Sequence, residues 1–280
     1  MINKSYKFGY LTVIILCVIA MGVGAKFDYL ITDTLYSPTN AFGILFEAFA
    51  YLPIYLFVPF FGGCLMIRNQ NKAYLFIFGL MIMLCSLGLF GYVGAKHLLQ
   101  RNFIGKINPY LCGIFSGLLS AFLFIFLRKL KKSSLRKIQS LCSFALFYLM
   151  GETALIFAVK KICGRDRYED IITGGNFAFA DWFRPVFFSE GSSFPSGHVG
   201  AAMGIMTLLL LPFLFKAFQK RKLPLFIFCY GYVGLMSFSR LLMGRHFLSD
   251  TAAAILIMTV IFAFLTPVYE KFYRKELLKD

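Results

Sequence analysis

Long apolar runs broken by short polar or charged intervals recur along the whole chain. Eight of them approach or exceed the roughly 20 residues that a helix needs to cross a bilayer core. They cover 8–25, 42–67, 73–95, 109–127, 138–159, 198–216, 223–243 and 250–268. Backbone N–H and C=O groups find no water in lipid, so runs of this length predict helices that bond internally rather than strands. The pattern therefore predicts an all-α, polytopic transmembrane helix bundle of about eight spans. The first run follows Lys4 and Lys7 and is long for a signal peptide, which predicts an uncleaved anchor.

Composition supports the same picture. Hydrophobic residues make up 59% of the 280 positions and charged residues 15%, below the roughly 25% charged of soluble domains. The mean hydropathy is +0.73. A net charge of +16 suits nucleic acid or an anionic membrane surface. The basic residues fall in short runs between apolar stretches, which favours the membrane and sets nucleic acid aside.

With the N-terminus in the cytoplasm, Lys4 and Lys7, Arg68 and Lys72, the cluster from Arg128 to Lys137, the cluster from Lys216 to Lys222, and Lys271, Arg274, Lys275 and Lys279 all fall inside. That matches the excess of Lys and Arg in cytoplasmic loops. The interval 95–108 then becomes an outer loop, with His97 as a surface histidine. The interval 160–197 is long for a connection between helices. With Trp182, Tyr168 and several Phe residues, it reads equally as a mouth at the membrane surface or as a structural plug. Seven cysteines without a CxxC spacing predict neither a disulfide framework nor a structural metal.

Three polar clusters interrupt the apolar pattern, and this topology puts all of them on the outer face. Lys160-Lys-Ile-Cys-Gly-Arg165-Asp-Arg167 follows the fifth span, Pro195-Ser196-Gly197-His198 opens the sixth, and Ser239-Arg240, His246 and Asp250 bridge the seventh and eighth. Together they suit a phosphate ester. Its transition state spreads negative charge over the equatorial oxygens, so catalysis is mostly positioning and electrostatic stabilisation. Lys160, Arg167 and Arg240 are the candidate phosphate clamps. Ser196 and Gly197 sit at a helix start, where backbone N–H groups and the helix dipole favour an anion. Two histidines fit two roles, one attacking phosphorus and the other protonating the leaving oxygen. His246 and Asp250 are four apart, a spacing that on a helix lets Asp250 accept from the ring and mark His246 as the nucleophile. His198 is then the acid.

The sets Lys160-x6-Arg167, Pro195-Ser-Gly-His198 and Ser239-Arg240-x5-His246-x3-Asp250 resemble the three signature motifs of the type 2 phosphatidic-acid phosphatase superfamily. The resemblance spans roughly 138–268. It departs in one place, where Tyr168 stands at the position the family usually gives to proline. The resemblance implies a six-helix phosphatase core, with 1–72 as added spans and 73–280 as the core. It also implies a phosphohistidine intermediate, no metal or other cofactor, and Lys160, Arg167, Ser196, Gly197, His198, Arg240, His246 and Asp250 as the site. A bacterial-type member in the cell membrane would act on a lipid phosphate such as phosphatidic acid, phosphatidylglycerol phosphate or undecaprenyl diphosphate. The alternatives are a lipid phosphotransferase using the same pocket, or a non-enzymatic polytopic protein. Lys161 and Arg165 read as field-setting charges, and Arg184 and Arg245 as headgroup or membrane-surface charges. Glu47 and Glu152, acids within apolar runs, are functional candidates.

Overall fold

The computed structural model describes residues 2–174, 176–187 and 191–277, without the side chains of residues 2, 3 and 274–277. Of the expected cytoplasmic cluster, Lys279 and the side chains of Arg274 and Lys275 therefore lie outside the described residues. Among the described residues all regular structure is helical. The α-helices are α1 (Ile2–Leu35), α2 (Ala41–Ala48), α3 (Leu52–Arg68), α4 (Ala73–Gln100), α5 (Pro109–Leu118), α6 (Ser120–Arg128), α7 (Lys132–Cys163), α8 (Tyr168–Thr173), α9 (Gly197–Ala202), α10 (Leu211–Leu214), α11 (Lys222–Leu242) and α12 (Leu248–Leu277). A 3-10 stretch, Met203–Leu210, continues α9 into α10.

Among the described residues, eight stretches are long and apolar enough to cross a membrane: Lys4–Leu35, Ala41–Arg68, Ala73–Gln100, Pro109–Arg128, Lys132–Cys163, Gly197–Leu214, Lys222–Leu242 and Leu248–Tyr273. The chain is an all-α, multi-pass membrane protein, with spans in the predicted order. α1 outruns its expected end at 25 by ten residues. A hydropathy reading stops at Lys26, Asp28 and Asp33, whereas in the fold both acids are met by partners: Asp28 by Arg165 and Asp33 by Tyr168. α4 likewise continues through 95–100, so His97 sits in its last turn rather than in a loop. The connection between α4 and α5 narrows to 101–108.

Local chemistry sets the helix starts. Asn40 accepts from Phe42 N and Gly43 N to cap α2. Asn108 accepts from Tyr110 N ahead of Pro109 to cap α5, and Ser196 accepts from Val199 N to cap α9. Each satisfies donors that a helix leaves open at its first turn.

The chain divides into two compact units, residues 1–50 with 148–280, and 51–147. In the first, α1 runs along α12, α11 lies against α2 and α9, and α9 also packs on α12. Its core includes Tyr148, Met206, Met236 and Phe262, all fully buried. The Tyr148 hydroxyl donates to the Met258 carbonyl at 2.9 Å, which satisfies a polar group deep in the unit. In the second unit, α3 and α4 cross at Gly62 and Gly79, where a Cβ on either would lie 2.6 Å from the other's carbonyl oxygen. Small residues at such crossings let membrane helices approach closely. Cys64, Leu127 and Leu135 form a buried cluster beside that crossing.

Candidate active site

All three polar clusters belong to the first unit and meet at one end of its helices: the C-terminal ends of α7 and α11 and the N-terminal ends of α9 and α12. His246 is central. It precedes α12 by two residues and is buried, with 1% of its surface exposed. Its ring lies 6.3 Å from that of His198, centroid to centroid. Its Nδ1 lies 2.7 Å from the Ser193 carbonyl oxygen. A carbonyl only accepts, which assigns the ring proton to Nδ1 and the lone pair to Nε2. Burial, then the charges of Lys160, Arg167, His198 and Arg240, push the His246 pKa well below its ordinary value. The ring is therefore neutral at neutral pH.

The bond expected between His246 and Asp250 is not made. Nδ1 and Asp250 Oδ2 stand 3.9 Å apart, beyond hydrogen-bond reach. The four-residue spacing assumed one helix face, but α12 begins only at Leu248. Asp250 occupies the third position of the helix. There its Oδ2 turns back to accept from Phe247 N at 2.8 Å, the reciprocal half of a capping box. The same carboxylate accepts from Ser193 Oγ at 2.6 Å and from Arg165 Nη1 at 2.6 Å. Asp250 thus holds the strap that holds the ring, while its charge stays near.

That strap, residues 191–193, was not singled out from sequence. The Ser192 carbonyl accepts from Lys160 Nζ, and Ser193 N donates to the Arg165 carbonyl at 2.8 Å. Gly191 passes so close that a Cβ there would lie 2.3 Å from the Gly164 carbonyl oxygen. The run of small residues before Pro195 was the available signal.

The phosphate candidates gather around His246. The Lys160 side chain crosses Gly197, with Cε 3.6 Å from where a Cβ would sit. Ser196 is fully buried and caps α9, and its N donates to the Asp250 carbonyl at 3.0 Å. Accepting from Val199 N leaves the Ser196 hydroxyl proton to donate elsewhere. Arg240 is fully buried. Its Nε donates to Ser239 Oγ and its Nη2 to the Gly43 carbonyl, each at 3.1 Å, and Glu47 lies 3.9 Å from Nη1. Arg167 precedes α8, and its buried Nε has no protein partner. Burial, then the adjacent Arg245, lowers the Arg167 pKa from its ordinary value.

Arg245 stands between Glu47, 3.4 Å from its Nε, and Glu169, 3.0 Å from its Nη1. It is an ion-pair member rather than a bare surface charge. Arg184 is exposed and pairs with Asp181 at 3.5 Å. Glu152 is buried, accepts from Thr153, and faces Gly200.

Tyr168, in the place of the usual proline, is the first residue of α8. Its hydroxyl donates to Asp33 at 2.5 Å, and its ring packs 5.5 Å from Tyr29 and 5.2 Å from Tyr36. An anchor to α1 does here what a stiff ring does by its φ angle. The long connection is pinned as well. Trp182 Nε1 donates to the Met21 carbonyl, its ring stacks on Phe194, and Phe179 packs on Phe247. Phe177, Phe183, Val186 and Phe187 face outward.

No curated protein and no solved structure matches the chain. Residues 141–274 match the family model of the PAP2 superfamily, and that stretch contains all three clusters. Members of this superfamily are phosphatases acting on phosphate esters. With its signature residues converging around His246, the chain belongs to the type 2 phosphatidic acid phosphatase superfamily.

Proposed function

We propose that the protein hydrolyses a lipid phosphate monoester or diphosphate at the extracytoplasmic face of the cell membrane, through a phosphohistidine on His246. The observation that carries this reading is the His246 ring itself: neutral, bonded through Nδ1 to Ser193, and surrounded by Lys160, Arg167, Arg240 and His198.

Nε2 attacks phosphorus while the P–O bond to the lipid breaks, and the departing oxygen takes a proton from His198. The Nδ1 proton stays on the ring, so the adduct is a phosphoimidazolium. Water then attacks phosphorus and gives its proton to His198, and the N–P electron pair returns to Nε2. Lys160, Arg167 and Arg240 neutralise the equatorial oxygens, aided by the Ser196 hydroxyl and the close backbone approach at Gly197. The partnerless Nε of Arg167 is a donor that a phosphate oxygen suits. These cations supply the positive charge that phosphoryl transfer requires, which supports a metal-independent reaction. The distribution of basic residues between spans supports the extracytoplasmic face. The outward Phe177, Phe183 and Phe187 beside the site suit a substrate with lipid chains.

The test is phosphate release by the detergent-purified protein from phosphatidic acid, phosphatidylglycerol phosphate and undecaprenyl diphosphate, with and without chelator. At least one lipid is expected to lose phosphate, the chelator to have no effect, and His246→Ala to abolish release and acid-labile phosphoenzyme. Wild-type turnover in His246→Ala refutes the mechanism. Loss of activity with chelator refutes metal independence. Phosphate passing to a second lipid instead of water makes the protein a phosphotransferase.

A further inference from the structure

Asp28 lies on α1, outside the residues that match the family. It is buried and accepts from three donors: Ser249 N at 3.0 Å, the Ser249 hydroxyl, and Arg165 Nη2 at 3.0 Å. Each of these donors favours the ionised carboxylate over the neutral acid. Arg165 is equally buried. It reaches Asp250 through Nη1 at 2.6 Å and the Ala180 carbonyl through Nε at 2.8 Å, and its guanidinium lies 4.2 Å from the centre of the Phe247 ring. One cation is thus shared by two carboxylates, and the three groups together carry one net negative charge.

That surplus bears on the reaction. When Nε2 bonds to phosphorus, Nδ1 keeps its proton on the Ser193 carbonyl and the ring becomes a cation. With Arg165 paired to Asp250 alone, the two charges would cancel. The new ring cation would then have as counter-charge only the phosphoryl oxygens, which Lys160, Arg167 and Arg240 already neutralise. Asp28 takes up the charge of Arg165, so Asp250, 3.9 Å from Nδ1, remains an effective anion. The same contacts set position. Arg165 holds Ser193 through its carbonyl, Ser193 bonds Asp250, and Ser193 orients the ring.

We propose that Asp28 is a positioning residue of the reaction centre, acting through Arg165 to hold Asp250 as counter-ion of the His246 phosphoryl adduct. This rests on His246 being the nucleophile.

Orthovanadate tests it. Vanadate takes the five-coordinate geometry of phosphoryl transfer and bonds the attacking nitrogen, whereas inorganic phosphate makes no such bond. Affinities for each are measured by calorimetry on the detergent-purified full chain and on Asp28→Asn, Arg165→Gln, the double variant and His246→Ala. Vanadate affinity is expected to fall about 10- to 100-fold in Asp28→Asn, by loss of one charge at this range in the interior, while phosphate affinity does not fall. The double variant restores the net charge and is expected to regain at least about tenfold, whereas purely structural losses would add.

The proposal is overturned if Asp28→Asn binds vanadate within about threefold of wild type, if phosphate affinity falls equally, or if the double variant binds no better than Asp28→Asn. Should Asp28→Asn not elute as a monodisperse species, the double variant decides. Vanadate binding within about tenfold of wild type supports the proposal, and binding no better than His246→Ala overturns it. Failure of the parent reading shows separately, as no vanadate binding by wild type or undiminished binding by His246→Ala.

Discussion

Replacing Asp250 with Asn separates the two things this residue does. As an anion it stands 3.9 Å from His246 Nδ1. At an effective interior dielectric of ~20, a unit charge at that distance would stabilise the proposed phosphoimidazolium by about 4 kcal/mol. Loss of that much transition-state stabilisation slows the chemical step by about 10³. As an acceptor it receives Phe247 N, Ser193 Oγ and Arg165 Nη1. An Asn oxygen can keep the first two, which preserves the helix cap and the strap. Its amide then meets Arg165 donor to donor, at a cost of about 1–3 kcal/mol. Asp250→Asn is therefore expected to fold, to lose modest thermal stability, and to lose about 10³ in kcat with KM little changed. Steady-state phosphate release from the preferred lipid, with thermal unfolding in the same detergent, measures both. A kcat within about tenfold of wild type, or a rise in KM at constant kcat, would refute the assignment of Asp250 as counter-ion.

Further outcomes follow from the same geometry. Because the His246 pKa is depressed in the fold, the unfolded chain binds a proton that the native state does not once pH drops below about 6.5. Stability from this residue is full above that value and declines as pH falls toward the native pKa, by up to about 1.4 kcal/mol per pH unit. His246→Gln is expected to flatten this part of the profile in thermal unfolding between neutral pH and about pH 5, and an unchanged slope would contradict the burial argument. Tyr168→Phe removes a 2.5 Å bond to a carboxylate and is expected to cost about 1.5–3 kcal/mol. Denaturation that matches wild type would show that the ring packing alone anchors α8. Gly191→Ala must push the strap away from the Gly164 carbonyl, which an added Cβ would approach to 2.3 Å. It is expected to lower kcat strongly, and full turnover would show that the strap does not set the His246 ring.

The length of the apolar runs and the charges between them made the eight spans legible, because a bilayer punishes unpaired backbone whatever the tertiary contacts are. The motif residues were legible for a similar reason. Phosphate chemistry needs particular side-chain types, and Lys160, Arg167, Ser196, Gly197, His198, Arg240, His246 and Asp250 do gather in one place. The details among them were not legible. Four-residue spacing put His246 and Asp250 on one helix face, yet the helix starts between them, and its open first-turn donors draw the carboxylate to Phe247 N. Nothing local marked a backbone carbonyl, Ser193, as the partner that sets the tautomer.

Asp28 and Asp33 marked the end of an apolar run, and only the packing of α1 turned them into partners of Arg165 and Tyr168. Glu47 was an isolated acid until α2 met α11 and set it between Arg240 and Arg245. The sequence by itself determined which segments are long and apolar enough to cross a membrane and which side chains are candidates to meet phosphate, since both follow from residue type. Tertiary structure alone decided which charges cancel, because the partners lie as many as 221 residues apart and burial makes each pairing count.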